Sequence, residues 1–311
     1  MNEFDLIRRY FAPLATSPGA DQLRDDVAEI APGIIATKDA IVEGIHFLPG
    51  DPLETVAQKL VRVNVSDIIA KGGKPDAALL ALVWPKGRPH EQLEGFARGL
   101  RKDFARWGAH LAGGDTTATD GPLTVTLTLT GKVGARGPVR RSGAQVGDDV
   151  WVTGTIGDGW LGLQAATGAL GDLSAEAHNL LVSRYRVPEP PRLPFADIIA
   201  THAHASIDVS DGLAADAGHI AAASGAGMVI RAADVPLSPV AHAYVANNRV
   251  ILADLLTGGD DYQTLFTAPQ SARGAITAAT RIGEVVAGQG VVVLDAAGAP
   301  MALDRTGFRH F

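Results

Sequence analysis

From position 123 to 130 the chain alternates without interruption, with Leu, Val, Leu and Leu at the odd positions and Thr at every even one. Successive side chains of a strand point to opposite faces, so this segment reads as a strand with one apolar face and one hydroxyl face. Elsewhere the period changes. Leu53–Ala70 places Val56, Leu60, Val61, Val65 and Ile68 three and four residues apart, a helical spacing, and Lys71-Gly72-Gly73 ends it. The two periods alternate along the whole chain, which predicts a mixed α/β architecture. Further strands are expected at 33–42, 77–84 (a buried one), 149–155, 227–231, 262–267 and 291–295. Further helices are expected at 1–15, 90–108, 159–167, 175–185 and 211–224.

A chain of 311 residues is long enough for two domains. The aperiodic, Gly-, Arg- and Pro-rich stretch 134–149 is the expected boundary, giving an N-terminal half of 1–140 and a C-terminal half of 141–311. The sequence has no cysteine, which removes disulfide scaffolds, thiolate nucleophiles, Cys-based zinc sites and iron–sulfur clusters. A net charge of -7 argues against a broad basic face for nucleic acid or acidic lipid. The longest apolar run, 77–84, is far short of the ~20 residues of a membrane helix. The N-terminus lacks a signal-peptide stretch, so a cytoplasmic, membrane-free protein is expected.

Acidic residues recur at element ends: Asp25-Asp26, Asp39, Asp67, Asp115, Asp208, Asp211 and Asp260-Asp261. Singly, Asp beside Gly is a turn and Asp before a helix is a cap. Two positions resist that reading. Asp67 makes a polar pair with Asn64 inside an otherwise apolar helix, and Asp208 sits between Ile207 and Val209. Buried carboxylates need cations. Few basic residues accompany these acids in sequence, so metal ions are the economical partners, and an all-oxygen donor set suits Mg²⁺ or Ca²⁺. An EF-hand is a poor match, because Gly212 comes one place early and position 12 would be His219. Mg²⁺ on scattered carboxylates implies phosphate ligands. Gly157-Asp-Gly159-Trp-Leu-Gly162 satisfies G-x-G-x-x-G, but no second strand ending in an acid follows. A tight strand-to-helix turn is therefore the better reading than a dinucleotide site.

Taken in order, Asp25-Asp26, Asp39-Ala-Ile-Val-Glu-Gly-Ile-His-Phe47, Val63-Asn-Val-Ser-Asp67, Gly113-Gly-Asp-Thr-Thr117, Arg141-Ser-Gly143, Ile207-Asp-Val-Ser-Asp-Gly212 and Gly258-Gly-Asp-Asp-Tyr262 resemble the thiamine-monophosphate kinase family. The ending Gly307-Phe-Arg-His-Phe311 resembles that family's C-terminus. The resemblance implies the two-domain fold of aminoimidazole ribonucleotide synthetase. In that fold the N-terminal domain joins a partner's strands in a dimeric β-barrel, with the apolar face of 123–130 expected inward, and an α/β domain follows.

It also implies ATP-dependent phosphorylation of thiamine monophosphate to thiamine diphosphate by a homodimer, with several Mg²⁺. The implied metal ligands are Asp26, Thr37, Asp39, Asp67, Asp115, Asp208 and Asp211. Gly114, Asp115, Arg141 and Ser210 would meet ATP; His46 and Asp260 would meet thiamine monophosphate. No covalent or general-base residue is expected, because the acceptor is already an ionised phosphate oxygen.

Four positions depart from the family pattern. Arg24 replaces a Gly. Lys38 replaces Thr or Ser within the metal motif, where an ammonium would displace one metal or bind phosphate. Asp260 replaces Glu. Arg305 stands where an aromatic residue stacks on the thiamine ring, leaving Phe308 as the substitute. The alternatives are another ATP-dependent synthetase of the superfamily or a non-catalytic metal- or nucleotide-binding module. Two superfamily relatives require a cysteine that this chain lacks.

Overall fold

The structure is a computed structural model, and it describes residues 3–171, 173–247, 251–303 and 307. Phe308 and Arg305 lie outside the described residues. The chain opens with a short helix, α1 (Glu3–Leu6), continued by irregular helical turns through Leu14 rather than one regular helix. The N-terminal half then runs β1 (Ala28–Ala31), β2 (Ile34–Val42), α2 (Leu53–Ala70), β3 (Lys74–Pro85), α3 (Gln92–Trp107), β4 (His110–Thr119) and β5 (Thr124–Lys132). Among the described residues these strands form a five-stranded sheet in the order β1-β2-β5-β3-β4. β3 and β4 are parallel, and α3 supplies the crossover that a parallel pair requires.

The alternation at 123–130 does what its period demands. Val125, Leu127 and Leu129 are fully buried in one core with Leu60, Val61 and Ile68 of α2 and Phe96, Leu100 and Phe104 of α3. The threonines line the opposite, half-buried face, where Lys38 Nζ donates to Thr126 Oγ1 at 2.8 Å. This corrects the expectation that the apolar face would line a barrel: the helices take it, and the hydroxyl face stays open. β3 is likewise not wholly buried, since Leu79 is 53% exposed. The edge strand β4 is exposed over nearly its whole length.

The C-terminal half contains β6 (Asp149–Val152), α4 (Asp158–Ala166), α5 (Ala175–Arg186), α6 (Phe195–His202), β7 (Ala205–Val209), α7 (Leu213–Ser224), β8 (Gly227–Arg231), α8 (Pro239–Ala246), α9 (Leu252–Thr257), β9 (Gln263–Ala268), β10 (Thr280–Val286) and β11 (Gly290–Leu294). Its described strands make a six-stranded sheet, β11-β8-β10-β6-β9-β7. α7 packs on this sheet, placing Leu213, Ala217 and Ile220 in its core.

Helix α2 joins the halves. Every residue from Val56 to Ala70 is buried, so its polar side chains must find partners within the protein, some of them in the other half. Arg62 meets Asp103 of α3 at 2.5 and 3.1 Å, and reaches the Pro188 carbonyl (2.9 Å) and Glu189 (2.6 Å) in the other half. Lys71 Nζ donates to the Ser206 carbonyl of β7 at 2.5 Å.

Candidate active site

Four elements deliver carboxylates to one place. Asp26 precedes β1; Thr37 and Asp39 share one face of β2; Asp67 lies in the last turn of α2; Asp208 is on the buried strand β7. Oxygens of Asp26, Asp67 and Asp208 all lie within 4.8 Å of one another. Thr37 Oγ1 donates to Asp67 Oδ2 at 2.6 Å, and Ser66 Oγ donates to Asp208 Oδ2. Asp39 Oδ2 is buried with no hydrogen-bond partner among the described residues.

The electrostatics follow from this crowding. Burial, then the Asp26 charge, pushes Asp39 up to about 6. Burial, again with the Asp26 charge, pushes Asp208 up to about 7. Asp67 is raised well above the carboxylate range by burial and by Asp208, Asp39 and Asp26. Asp26 behaves oppositely: burial raises it, but Arg141 and Lys71 outweigh burial and hold it at about 2.

Those two cations correct the reading that few basic residues accompany the acids. Lys71 Nζ lies 2.8 Å from Asp25 Oδ1 and 2.6 Å from Asp26 Oδ2, and Arg141 Nε donates to Asp26 Oδ1 at 2.9 Å. In the sequence Lys71 reads only as the stop of α2. Asp26 is therefore already neutralised, whereas among the described residues no ammonium or guanidinium forms an ion pair with Asp39, Asp67 or Asp208, although Lys38 and Arg141 act on Asp39 and Asp208 from farther off. Lys38 alternates away from Thr37 and Asp39 along β2, so its ammonium lies with Thr126 on the hydroxyl face.

The remaining expected residues separate. Asp211, with Asp216 and His219, forms a second group of potential ligand atoms beside the first turn of α7, where Asp216 accepts from the Asp211 N–H at 3.2 Å. Burial raises Asp216 well above its ordinary range and, with Arg141, depresses His219 to about 4. Gly114 and Asp115 are exposed on β4 and do not belong to the buried carboxylate group. Ser210 offers its carbonyl to the Asp260 N–H at 2.9 Å. His46 follows β2 in a turn and accepts the Val42 N–H on Nδ1 at 3.1 Å.

Asp260 pairs with Lys59 of α2 at 2.9 Å. Its loop lies flush on the Val209-Ser210-Asp211 turn, where a Cβ on Gly259 would fall 2.3 Å from the Ser210 carbonyl oxygen. Lys59, Ser66, Asp216 and Tyr262 were not singled out from sequence. Lys59, Ser66 and Asp216 sit in helices, where a single polar residue reads as a solvent-facing position.

The G-x-G-x-x-G segment is the start of α4, with Gly157 as its N-cap at φ 91°. Its anion-seeking N–H groups are taken from within the chain: Gly157 N donates to Asp261 Oδ2 at 2.8 Å and Gly159 N to Asp261 Oδ1 at 3.1 Å. The turn is filled by a carboxylate of the same protein, consistent with a structural role.

Residues 24–133 match the family described as AIR synthase related protein, N-terminal domain, and residues 145–295 match its C-terminal domain. The chain is 43% identical to the thiamine-monophosphate kinase of Caulobacter vibrioides, over 93% of this chain and 85% of that protein. It is 35% identical to that of Escherichia coli strain K12, over 99% and 98%. The solved structure "AaThiL complexed with AMPPCP and TMP" aligns with a TM-score of 0.89 at 32% identity, covering 100% of this chain and 97% of that one. Thiamine monophosphate kinase from Aquifex aeolicus aligns at 0.84 and 31%, covering 96% of each. The hydrogenase maturation protein HypE in complex with ATP shares the fold at 0.72 and 17%, covering 99% of this chain and 95% of that one.

Proposed function

The chain belongs to the thiamine-monophosphate kinase family, and from that premise we propose that it transfers the γ-phosphoryl group of ATP to thiamine monophosphate, releasing ADP and thiamine diphosphate. The observation that carries the chemistry is the convergence of Asp26, Asp67 and Asp208, with Asp39 beside them, where the two halves meet. Donor and acceptor are both polyanions, and so is this wall of the site.

The donor set fits Mg²⁺. It offers only carboxylate and hydroxyl oxygens, and it leaves Asp39 Oδ2 buried without a partner. Asp26, Thr37, Asp39, Asp67 and Asp208 would hold such ions, with Asp211 on the adjoining turn. Bound there, Mg²⁺ would supply charge neutralisation to the phosphates of donor and acceptor. With Lys71, Arg141 keeps Asp26 ionised; Gly114, Asp115, Arg141 and Ser210 are the proposed ATP contacts. His46, Asp260 and Phe308 are the proposed contacts of thiamine monophosphate.

No side chain need take a proton from the acceptor, whose attacking oxygen is already ionised, so positioning and charge neutralisation carry the reaction. We assign ATP and metal binding chiefly to residues 1–140 and the synthetase-like domain to 141–311, although Asp208 and Asp211 come from the latter.

The exposed edge of β4, the open hydroxyl face of β5 and the exposed Leu79 and Leu111 support a homodimer in which two N-terminal sheets close a barrel. Among the described residues no helix is long and apolar enough to cross a membrane, and dependence on ATP favours the cytoplasm. The decisive experiment measures ADP release with thiamine monophosphate, with free thiamine and with neither, and identifies thiamine diphosphate by mass. Substrate-independent ADP release, or none, would overturn the assignment. Light scattering tests the dimer.

A further inference from the structure

Lys59 is among the largest fully buried side chains of the protein, yet it lies outside the carboxylate cluster. Its ammonium has three attachments. It donates to the His46 carbonyl at 2.9 Å, donates to Asp260 Oδ2 at 2.9 Å, and sits 4.3 Å from the ring centroid of Tyr185. The other Asp260 oxygen is held as well, because Tyr262 OH donates to Oδ1 at 3.0 Å. The Asp260 side chain nevertheless stays 30% exposed, whereas Lys59 is 1% exposed. Its orientation is fixed while part of the carboxylate remains open to a ligand.

The backbone beneath it is strained and heavily tied. Asp260 and Tyr262 adopt φ of 70° and 52°, a region L-residues rarely enter. Asp260 N is held by the Ser210 carbonyl at 2.9 Å and Tyr262 N by the Val209 carbonyl at 2.7 Å, while the intervening Asp261 is anchored on the Gly157 and Gly159 N–H groups. Strained residues persist where their surroundings over-determine them, and such places cluster at ligand clamps.

We propose that Lys59 and Tyr262 are positioning residues that clamp the Asp260 carboxylate by both oxygens. Through the His46 carbonyl, Lys59 also fixes the distance between the two groups that meet thiamine monophosphate, one from each half. This rests on thiamine monophosphate being the acceptor. A carboxylate held this way accepts an N–H donor, or faces the cationic ring, of a pyrimidine–thiazolium substrate in a single orientation.

The test is steady-state kinetics of Lys59→Met, Tyr262→Phe and Asp260→Asn, varying each substrate in turn, with melting temperatures alongside. Each of the first two substitutions is expected to raise KM for thiamine monophosphate about tenfold, as for a lost charge-assisted hydrogen bond, and to leave KM for ATP and kcat within about threefold. Lys59→Met combined with Asp260→Asn should be no worse than the poorer single variant. Unchanged KM for thiamine monophosphate in folded Lys59→Met overturns the proposal. So does a parallel rise in both KM values with a lowered melting temperature, since that marks a merely structural role. If Lys59→Met fails to fold, Tyr262→Phe decides: a selective rise supports the clamp and no rise overturns it. Wild-type protein inactive on thiamine monophosphate removes the functional assignment together with the clamp, whereas active wild type with unaltered variants removes the clamp alone.

Discussion

The Lys71 ammonium lies 2.6 Å from the Asp26 carboxylate in the protein interior, with side-chain exposures of 0% and 3%. Lys71 also holds Asp25 and the Ser206 carbonyl, so one cation ties the first acidic motif to both halves. Removing it strands charge. Lys71→Met should destabilise the protein by about 3–5 kcal/mol, the usual cost of breaking a buried pair from one side. Urea denaturation at pH 7.5 measures this. A change below about 1 kcal/mol would show that water reaches the pair.

Asp67 contributes repulsion to the cluster when no cation is bound, since burial and three neighbouring carboxylates raise it. Asp67→Asn should therefore keep or increase the stability of the cation-free fold while lowering kcat by a hundredfold or more, on the order of the loss of a preorganised charge-stabilising group. Circular dichroism and ADP release, measured on the same preparation, check both halves of the statement. Retained turnover would remove Asp67 from the proposed metal ligands.

Stability should depend on pH and Mg²⁺ together. Asp39 and Asp208 rise from an ordinary 3.8 to about 6 and about 7 on folding. The folded state therefore binds more protons than the unfolded state between these values, and stability without divalent cation falls as pH rises from about 4 to 7. Asp26, depressed to about 2, acts in the opposite sense only below about pH 4. His219, depressed from 6.5 to about 4, opposes the fall between those values, but it is one group against Asp39, Asp208 and the likewise raised Asp67, Asp216 and Asp261. Mg²⁺ competes with the protons, so it should raise the melting temperature more at pH 8 than at pH 5. Thermal scans in EDTA and in MgCl₂ at both pH values decide; equal Mg²⁺ shifts would contradict the cluster as a cation site.

Gly259 is confined by contact. A methyl group there would meet the Ser210 carbonyl at 2.3 Å, and backbone cannot yield as a flexible side chain does. Gly259→Ala should lower stability by about 1–3 kcal/mol, the usual penalty for overpacking, and should raise KM for thiamine monophosphate through displaced Asp260. Wild-type kinetics in this variant would show that the loop relaxes without moving the carboxylate.

Arg62 makes a similar point away from the chemistry. Arg62→Met frees the fully buried Asp103 and removes the link to Glu189, so a loss of about 3–5 kcal/mol is expected with little effect on kcat in protein that remains folded. A large fall in kcat at full stability would mean that this network reaches the reacting groups.

The parts of the molecule that could be read from sequence are those where one period dominates. Helix α2 and strand β5 have one orientation compatible with burying their apolar positions, and the structure places both close to the expected limits. The seven motifs also identified the family to which the chain belongs. Strand β4 escaped because Gly113-Gly114-Asp115 looks like a turn and an exposed edge has no apolar alternation to display. β10 and α6 lay in stretches where neither period prevailed.

The site was legible as a set of acids but not as an electrostatic balance. Lys71 reads locally as the end of a helix, and only the return of the chain at β7 brings Asp208 and the Ser206 carbonyl beside α2. Long-range pairing of this kind leaves no local signature.

Among the described residues, five polar links leave α2 and its C-cap Lys71 for the other half: Lys59 to Asp260, Arg62 to the Pro188 carbonyl and to Glu189, Ser66 to Asp208 and Lys71 to Ser206. A hinge at the segment between the halves would have to break these links together, stranding the buried Lys59, Arg62, Lys71 and Asp208. The junction that carries the carboxylates is therefore expected to act as a fixed frame rather than a pair of jaws, with the two halves keeping one mutual orientation through turnover.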